Sequence, residues 1–133
     1  MRTRELKNKG AYGYAVNRMN DETYQLRRRV MDVLYEAKHR GFKLPRVEVR
    51  VVDATDEVEL HCAGYAYLSS KVIHIPRATF KSYKEKDFVG VVLHEVVHAV
   101  TGFRHDDNCP LMSPYIDKSM SLEDAWKHFA KYF

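Results

Sequence analysis

The sequence predicts an α+β domain in which helices pack mainly on one face of a small twisted mixed sheet. The predicted elements follow the order helix, strand, strand, strand, helix, loop, helix. The second of these helices is apolar almost all round its axis and should therefore be buried. The chain has 133 residues, 45% hydrophobic and 30% charged, which fits a single soluble globular domain. We expect residues 1–18 to be a polar N-terminal arm and residues 19–133 to be that domain.

Charge, cysteines and hydropathy narrow the class of protein. The formal net charge is +4, and the two cysteines, Cys62 and Cys109, are too few for a disulfide framework. No segment approaches the ~18 consecutive apolar residues of a membrane span. The charged N-terminus lacks the apolar core of a secretory signal. We therefore expect a cytoplasmic protein with free thiols that does not contact membranes, although a secreted form without its leader is an alternative.

Residues 20–41 are predicted to form the first helix, because apolar residues recur on one face at helical spacing. Asn20 or Asp21 can cap its start, and Gly41 can end it. The run Arg27–Arg29 lies mostly off the apolar face, so we interpret it as a solvated helix surface. Binding of nucleic acid through these arginines is the less favoured interpretation, since no aromatic recognition pattern accompanies them.

Three short strands are predicted next. Residues 46–53 alternate in polarity and are rich in valine, which is typical of a strand. Residues 61–68 and 71–76 form two more extended runs, predicted as a hairpin or as neighbouring strands, and Pro76 ends the second run.

The C-terminal part of the chain predicts two helices separated by a loop. Residues 87–101 form the buried helix, which Gly102 can end. Residues 103–120 contain two prolines and no periodicity, so they are predicted to be loop. The last helix follows, with Ser121 and Asp124 spaced as a capping box.

The buried helix carries His94, Glu95 and His98 in the pattern H-E-x-x-H. The two histidines are four residues apart, so both rings project from one face and can share a tetrahedral metal ion. Glu95 points roughly 100° away around the axis. It therefore suits the role of a general base beside the solvent ligand of the ion, and not that of a third ligand. The alternative is an ordinary buried helix whose histidines bond to carbonyl groups or water.

A third ligand is predicted beyond the end of this helix. His105 lies seven residues past His98, so on a straight helix the two would be about 10 Å apart along the axis. Gly102 lies between them and can adopt the left-handed conformation that turns the chain back. We therefore predict His105 as the third ligand, with Asp106 as the alternative. Three imidazoles with one open position suit a single catalytic Zn²⁺ ion.

These motifs resemble a known family. "HEVVHAVTGFRH" is similar to the zinc signature of metzincin metallopeptidases, H-E-x-x-H-x-x-G-x-x-H, and "CPLMSPY" resembles their Met-turn in its matrixin form. The resemblance covers about residues 43–133. It implies a zincin-like, minimal metzincin fold with a buried active-site helix, a Met-turn loop and a C-terminal helix, and it implies a zinc-dependent endopeptidase. The chain departs from the signature in having three residues between His98 and Gly102 where the signature has two.

The same resemblance implies roles for five more residues. Met112 would lie beneath the metal as an apolar floor, which differs little from an ordinary core methionine. Tyr115 would either hydrogen-bond an oxyanion or simply pack under the loop. A peptide or protein substrate would pair as an added strand along the edge that contains Gly64, Tyr65 and Ala66.

Other interpretations stay open. The extra residue before Gly102 favours a non-catalytic zincin-fold module with a binding or structural role. SprT-like proteins, which include DNA-associated metalloproteases, share the zincin architecture but place a third histidine further on, and the segment "LMSPY" favours metzincins over them. Cys109 is predicted to be structural. The four other histidines are predicted to lie on the surface or in strands: His39, His61, His74 and His128.

Overall fold

The computed structural model describes the backbone of residues 13–53 and 62–133, and side chains from residue 22 onward. Two strands and four helices occur in this part of the chain. In order they are α1 (Gly13–His39), β1 (Glu48–Val52), β2 (Val72–Pro76), α2 (Arg77–Ser82), α3 (Glu85–Val96) and α4 (Leu122–Ala130). Helix α3 continues without a break into a π-helical turn, Val97–Thr101. No helix in the described ranges is long and apolar enough to cross a membrane.

Helix α1 begins earlier than predicted. It starts at Gly13, so residues 13–18 of the predicted arm are helical, and Asn20 and Asp21 lie inside the helix instead of capping it. The physical reason is that neither proline nor glycine occurs between residues 14 and 40 to interrupt the helix. The remaining arm residues, 1–12, lie outside the described chain. Gly41 ends the helix as predicted, with a φ of 98°.

The face of α1 predicted to be apolar forms part of the core, with Val30, Val33, Leu34 and Ala37 buried. Of the predicted arginine surface, Arg27 and Arg28 are exposed, whereas Arg29 turns inward. Its guanidinium donates to Phe80 O at 2.9 Å, contacts Glu85 Oε1 at 3.1 Å and lies 4.2 Å from the centre of the Phe88 ring. Arg29 therefore connects α1 to α2 and α3.

The sheet is smaller than predicted. Strands β1 and β2 pair in parallel, from Glu48 opposite Val72 to Val52 opposite Pro76. The second predicted strand, residues 61–68, is reduced in its described part to a single antiparallel bridge between Tyr65 and His74. In the loop that follows, Ser69 and Lys71 both take a left-handed φ of 61°, which a regular strand does not allow. Residues 54–61, which include His61, lie outside the described residues.

The core lies between the sheet and the helices. Helix α3 is buried along most of its length, as predicted, with Phe88, Val92, Leu93 and Val96 fully enclosed. Helix α4 packs against α3 through Trp126 and Phe129. Its predicted cap is present, because the Ser121 hydroxyl accepts the N–H of Asp124 at 3.1 Å. Helix α2 was not predicted. It follows directly after Pro76, whose fixed φ suits a position just before a helix.

Candidate metal centre

His94 and His98 face each other across one turn of α3, and both are oriented by backbone carbonyl groups. His94 Nδ1 lies 2.7 Å from Leu111 O, and His98 Nδ1 lies 2.7 Å from Phe103 O. A carbonyl oxygen only accepts hydrogen bonds, so each Nδ1 carries the proton and donates it. The two Nε2 atoms are 3.0 Å apart and point toward each other.

This arrangement leaves two lone pairs in contact at neutral pH. Burial lowers the pKa of His94 to about 4, and the neighbouring His98 and His105 lower it further while the bond to Leu111 raises it. Burial also lowers the pKa of His98. Both rings are therefore neutral at pH 7, and with Nδ1 protonated neither Nε2 has a hydrogen to share. Two acceptors at 3.0 Å repel each other unless a cation lies between them. A divalent metal ion satisfies that requirement.

His105 completes the group. One ligand atom from each of the three histidines lies within 4.8 Å of the others. The His105 ring centre is 5.2 Å from that of His94 and 4.8 Å from that of His98. His98 is buried, His94 is half-buried and His105 is exposed, so the site opens toward solvent on the side of His105. Such a site leaves room for a solvent or substrate ligand.

Asp106, the alternative third ligand, does not belong to this group. Its carboxylate accepts the N–H of Asn108 at 2.9 Å, and its own N–H donates to Met112 O at 2.9 Å. Asp106 therefore stabilises the loop that follows His105. The structure brings together the three histidines predicted from the sequence and gives the aspartate a structural role.

The π turn explains how His105 reaches the site in spite of the extra residue. A π turn closes with one residue more than an α turn. Residues Val97–Thr101 form this wider turn, and Gly102 then reverses the chain with a φ of 78°. The chain thus leaves the helix after three residues in a position that an α-helix would reach after two.

Glu95 lies next to the histidines but outside their group. Its side chain is 5% exposed, and burial raises its pKa to about 8. Among the residues that the structure describes, none donates a hydrogen bond to its carboxylate. Gly64 lies against it: a Cβ added to Gly64 would be 3.2 Å from Glu95 Cγ and 3.2 Å from His74 O. The absence of a side chain at Gly64 therefore lets the edge segment approach the glutamate closely.

A cavity of about 520 Å³ opens beside the histidines. One wall is the face of α3 that carries Asp87, Gly90, Val91 and His94 together with Glu95. The other walls are residues 62–66 and the loop around residues 110–120. This volume is in the range of ligand-binding clefts. The cleft runs from the histidines along α3 between an extended segment and a loop, which suits an extended chain molecule.

The other predicted site residues fall into two groups. Gly64, Tyr65, Ala66 and Tyr115 line the cavity, and Tyr115 is 82% exposed. Met112 is fully buried in the core and does not line the cavity. Residues 109–113 form a tight turn there, with the N–H groups of residues 112 and 113 both bonded to Cys109 O.

Several contributors to the site were missed in the sequence. The carbonyl groups of Leu111 and Phe103, which orient the two helical histidines, leave no trace in side-chain pattern. Lys86, at the far end of the cavity, holds Asp87 Oδ1 at 3.0 Å and Lys118 O at 2.6 Å. Nothing in the sequence pattern distinguishes Lys86 from the other lysines on the surface.

Comparison with known proteins gives one match. A model of the SprT-like family matches residues 27–110, which include α3, the π turn and all three histidines. The range stops short of Met112 and Tyr115, on which the resemblance to matrixins depended. No curated protein matches the chain, and no solved structure matches it. The match is thus to the SprT-like family, which the sequence suggested as the alternative to the metzincins.

Proposed function

The chain belongs to the SprT-like family, and from this premise we propose that it is a zinc-dependent metallopeptidase that hydrolyses peptide bonds. One observation carries the proposal. The Nε2 atoms of His94 and His98 face each other at 3.0 Å, each ring has its only proton bound to a carbonyl group, and a third imidazole lies within ligand distance. A cluster of neutral imidazoles beside an open cavity is what a catalytic metal site requires.

The donor set fits zinc. Tetrahedral zinc with Zn–N bonds of about 2.0–2.1 Å places two ligand nitrogens about 3.3 Å apart. The separation of 3.0 Å between the helical histidines is close to this value. The Nδ1 bonds to Leu111 O and Phe103 O are the supporting interactions that fix the orientation of metal-binding histidines. Zinc bound here would act as a Lewis acid and lower the pKa of a water molecule toward neutrality.

Glu95 supplies the proton transfers. Its carboxylate takes a proton from the attacking water and delivers it to the amine that leaves when the peptide bond breaks. In the metal-free pocket burial raises the pKa of Glu95 to about 8, and a divalent cation bound beside it would favour the ionised form that accepts the proton. Gly64 keeps the substrate edge against the glutamate, so that the scissile peptide and the proton carrier are close together.

The walls of the cavity position the substrate. Residues 64–66 present an extended segment whose other neighbour is β2, and a peptide would lie along it as an added strand. The turn at residues 109–113 would act as a Met-turn, with Met112 stabilising the region beneath the histidines and Leu111 orienting His94. The matrixin-like features are thus proposed as parts of a SprT-like metallopeptidase.

The proposal is tested with zinc-loaded protein, a diverse peptide library and mass spectrometry of the products. Wild type should cleave peptides, and Glu95→Gln should retain zinc but lose cleavage. Glu85→Gln is the matched control, because Glu85 lies on the same helix with its side chain exposed and pairs with Arg29, away from the histidines. It should cleave like wild type.

Two results would contradict the mechanism. Undiminished cleavage by Glu95→Gln would exclude Glu95 as the proton carrier. Absence of products from wild type that holds one zinc ion would instead favour a non-catalytic module in the same fold. His98→Ala, which removes a helical ligand, should lose zinc and confirms that any metal measured is bound at this site.

A further inference from the structure

One hydroxyl group bonds to both sides of the corner after α3. Thr101, the last residue of the π turn, donates to Val97 O at 2.5 Å and accepts the N–H of Phe103 at 3.2 Å. These two bonds span Gly102, where the chain reverses. A side chain therefore performs the role that backbone hydrogen bonds perform inside a helix, and it connects the π turn to the first residue beyond the reversal.

The residue held in this way also orients a histidine. The carbonyl group of Phe103 accepts the bond from His98 Nδ1 at 2.7 Å. The Phe103 side chain is 54% exposed and contacts the Tyr132 ring edge-on at 5.3 Å, so side-chain packing restrains it weakly. His105 follows two residues later. A displacement of Phe103 would therefore change both the orientation of His98 and the position of His105.

We propose that Thr101 is a positioning residue of the metal site, whose hydroxyl fixes Phe103 and, through it, the His98 ring and His105. The inference rests on the proposed metal site and does not depend on peptidase activity. It also gives a role to a residue that appeared in the sequence only as part of the extra length before Gly102. Loss of a group that supports a metal ligand lowers metal affinity by roughly 10–100-fold. Thr101 acts one bond further away, so we expect the lower end of this range.

The test compares three variants of the full chain. Thr101→Val keeps the shape of the side chain but removes the hydroxyl, and Thr101→Ser keeps the hydroxyl. Thr23→Val is the matched control, because its hydroxyl also accepts a hydrogen bond, from Arg77 Nη2 at 2.8 Å, but lies on α1 away from the site. Zinc affinity is measured by competition with a chromophoric chelator. The visible absorption of the cobalt(II)-loaded protein reports ligand geometry.

Thr101→Val should bind zinc about tenfold more weakly than wild type and show an altered cobalt spectrum. Thr101→Ser and Thr23→Val should match wild type in both measurements. Equal zinc affinity in Thr101→Val and wild type overturns the inference. If Thr101→Val does not fold, Thr101→Ala replaces it, and equal affinity of the Ala and Ser variants then overturns the inference. Zinc binding without cleavage by wild type would contradict the proposed function alone, and no zinc binding by wild type would contradict both.

Discussion

Deletion of Val100 is the most direct test of the role that the π turn plays. Val100 is half-buried in the middle of the turn and contributes no side chain to the histidine group. Its deletion leaves two residues between His98 and the glycine. If the π turn exists to accommodate the extra residue, the shortened segment should close as an α turn and deliver the glycine to the same place.

The displacement that an uncompensated deletion would cause is large compared with the variation in metal–ligand distance that a metal site tolerates. Consecutive Cα atoms are about 3.8 Å apart, so an uncompensated deletion moves the following chain by roughly that distance. Metal–ligand distances tolerate about 0.2 Å. Without compensation His105 would leave the site completely. With compensation we expect a zinc affinity within about tenfold of wild type, comparable to the loss of one supporting interaction.

The assay is zinc affinity by chelator competition, together with the thermal midpoint in the presence and absence of zinc. Deletion of Arg104 is the matched control, because Arg104 is an exposed residue just beyond Gly102, where no π turn can absorb the change. The zinc affinity of this control should fall by more than the roughly 10–100-fold that loss of a supporting interaction causes. If the two deletions weaken zinc binding equally while both proteins stay folded, the π turn does not compensate for the extra residue and the reasoning is wrong.

Two further predictions concern Glu95 and its surroundings. The folded-state pKa of Glu95 is raised from 4.5 to about 8, so the stability that its protonated form contributes is complete below pH 4.5 and is lost as the pH rises through about 8. Metal-free Glu95→Gln should therefore have a larger free energy of unfolding than metal-free wild type at about pH 8.5, by on the order of a few kcal/mol. The difference should shrink toward pH 5, and a difference independent of pH would contradict this. Gly64→Ala should cost about 1–3 kcal/mol in chemical denaturation and reduce cleavage with zinc affinity retained, because its Cβ would approach three atoms at 3.1–3.2 Å. Gly90→Ala, whose Cβ would have no neighbour closer than 3.8 Å, should be neutral or stabilise by up to about 1 kcal/mol, and a larger loss there than at Gly64 would refute the steric explanation.

The histidine group was largely predictable because it depends on local geometry. The spacing of His94 and His98 is a property of any helix, and Gly102 marks where the chain can reverse. Together they were sufficient to predict that His105 returns to the other two. The choice of His105 over Asp106 rested on the glycine break and on the resemblance to the metzincin signature, and the structure places His105 with the other two histidines.

The π turn and the reduced strand could not be predicted because both depend on distant contacts. The sequence of Val97–Thr101 suits an α-helix as well as a π-helix. Its hydrogen bonds are decided in part by the loop at residues 67–71, which supplies N–H groups to carbonyls at the end of the helix. The same loop contains the two residues with left-handed φ that follow the predicted strand at residues 61–68. Neither preference is encoded in the local pattern of polar and apolar residues.

The family assignment was predicted less well than the site. The "LMSPY" segment favoured matrixins, whereas the family match covers residues 27–110 and therefore depends on α1, the sheet and α3. A short loop motif carries few constraints, since Met112 is simply a buried core residue there. A match over residues 27–110, which include all three histidines, carries more information about the family than one short loop segment does.

The contact between the loop at residues 67–71 and the π turn gives a second reason, besides the positive φ, why residue 102 is a glycine. The N–H groups of Ser69 and Lys71 donate to His98 O at 2.9 Å and Ala99 O at 2.8 Å, so this loop is joined directly to the π turn. In this arrangement Ser69 Oγ lies 2.5 Å from where a Gly102 Cβ would be, and Gly102 also has a positive φ. Gly41 has a positive φ but no atom within 4 Å of its would-be Cβ.

The two glycines therefore separate backbone strain from steric conflict. Gly41→Ala should cost about 1 kcal/mol in free energy of unfolding, for the left-handed backbone alone. Gly102→Ala should lower the free energy of unfolding by more than Gly41→Ala does. It should also weaken zinc binding, because its Cβ would displace the loop at residues 67–71, which is bonded to the π turn. Adding Ser69→Ala removes the obstructing oxygen and should restore part of the loss, which a double-mutant cycle measures as a favourable coupling between the two positions. A coupling of zero would mean that the backbone of Gly102, and not its contact with Ser69, determines the cost.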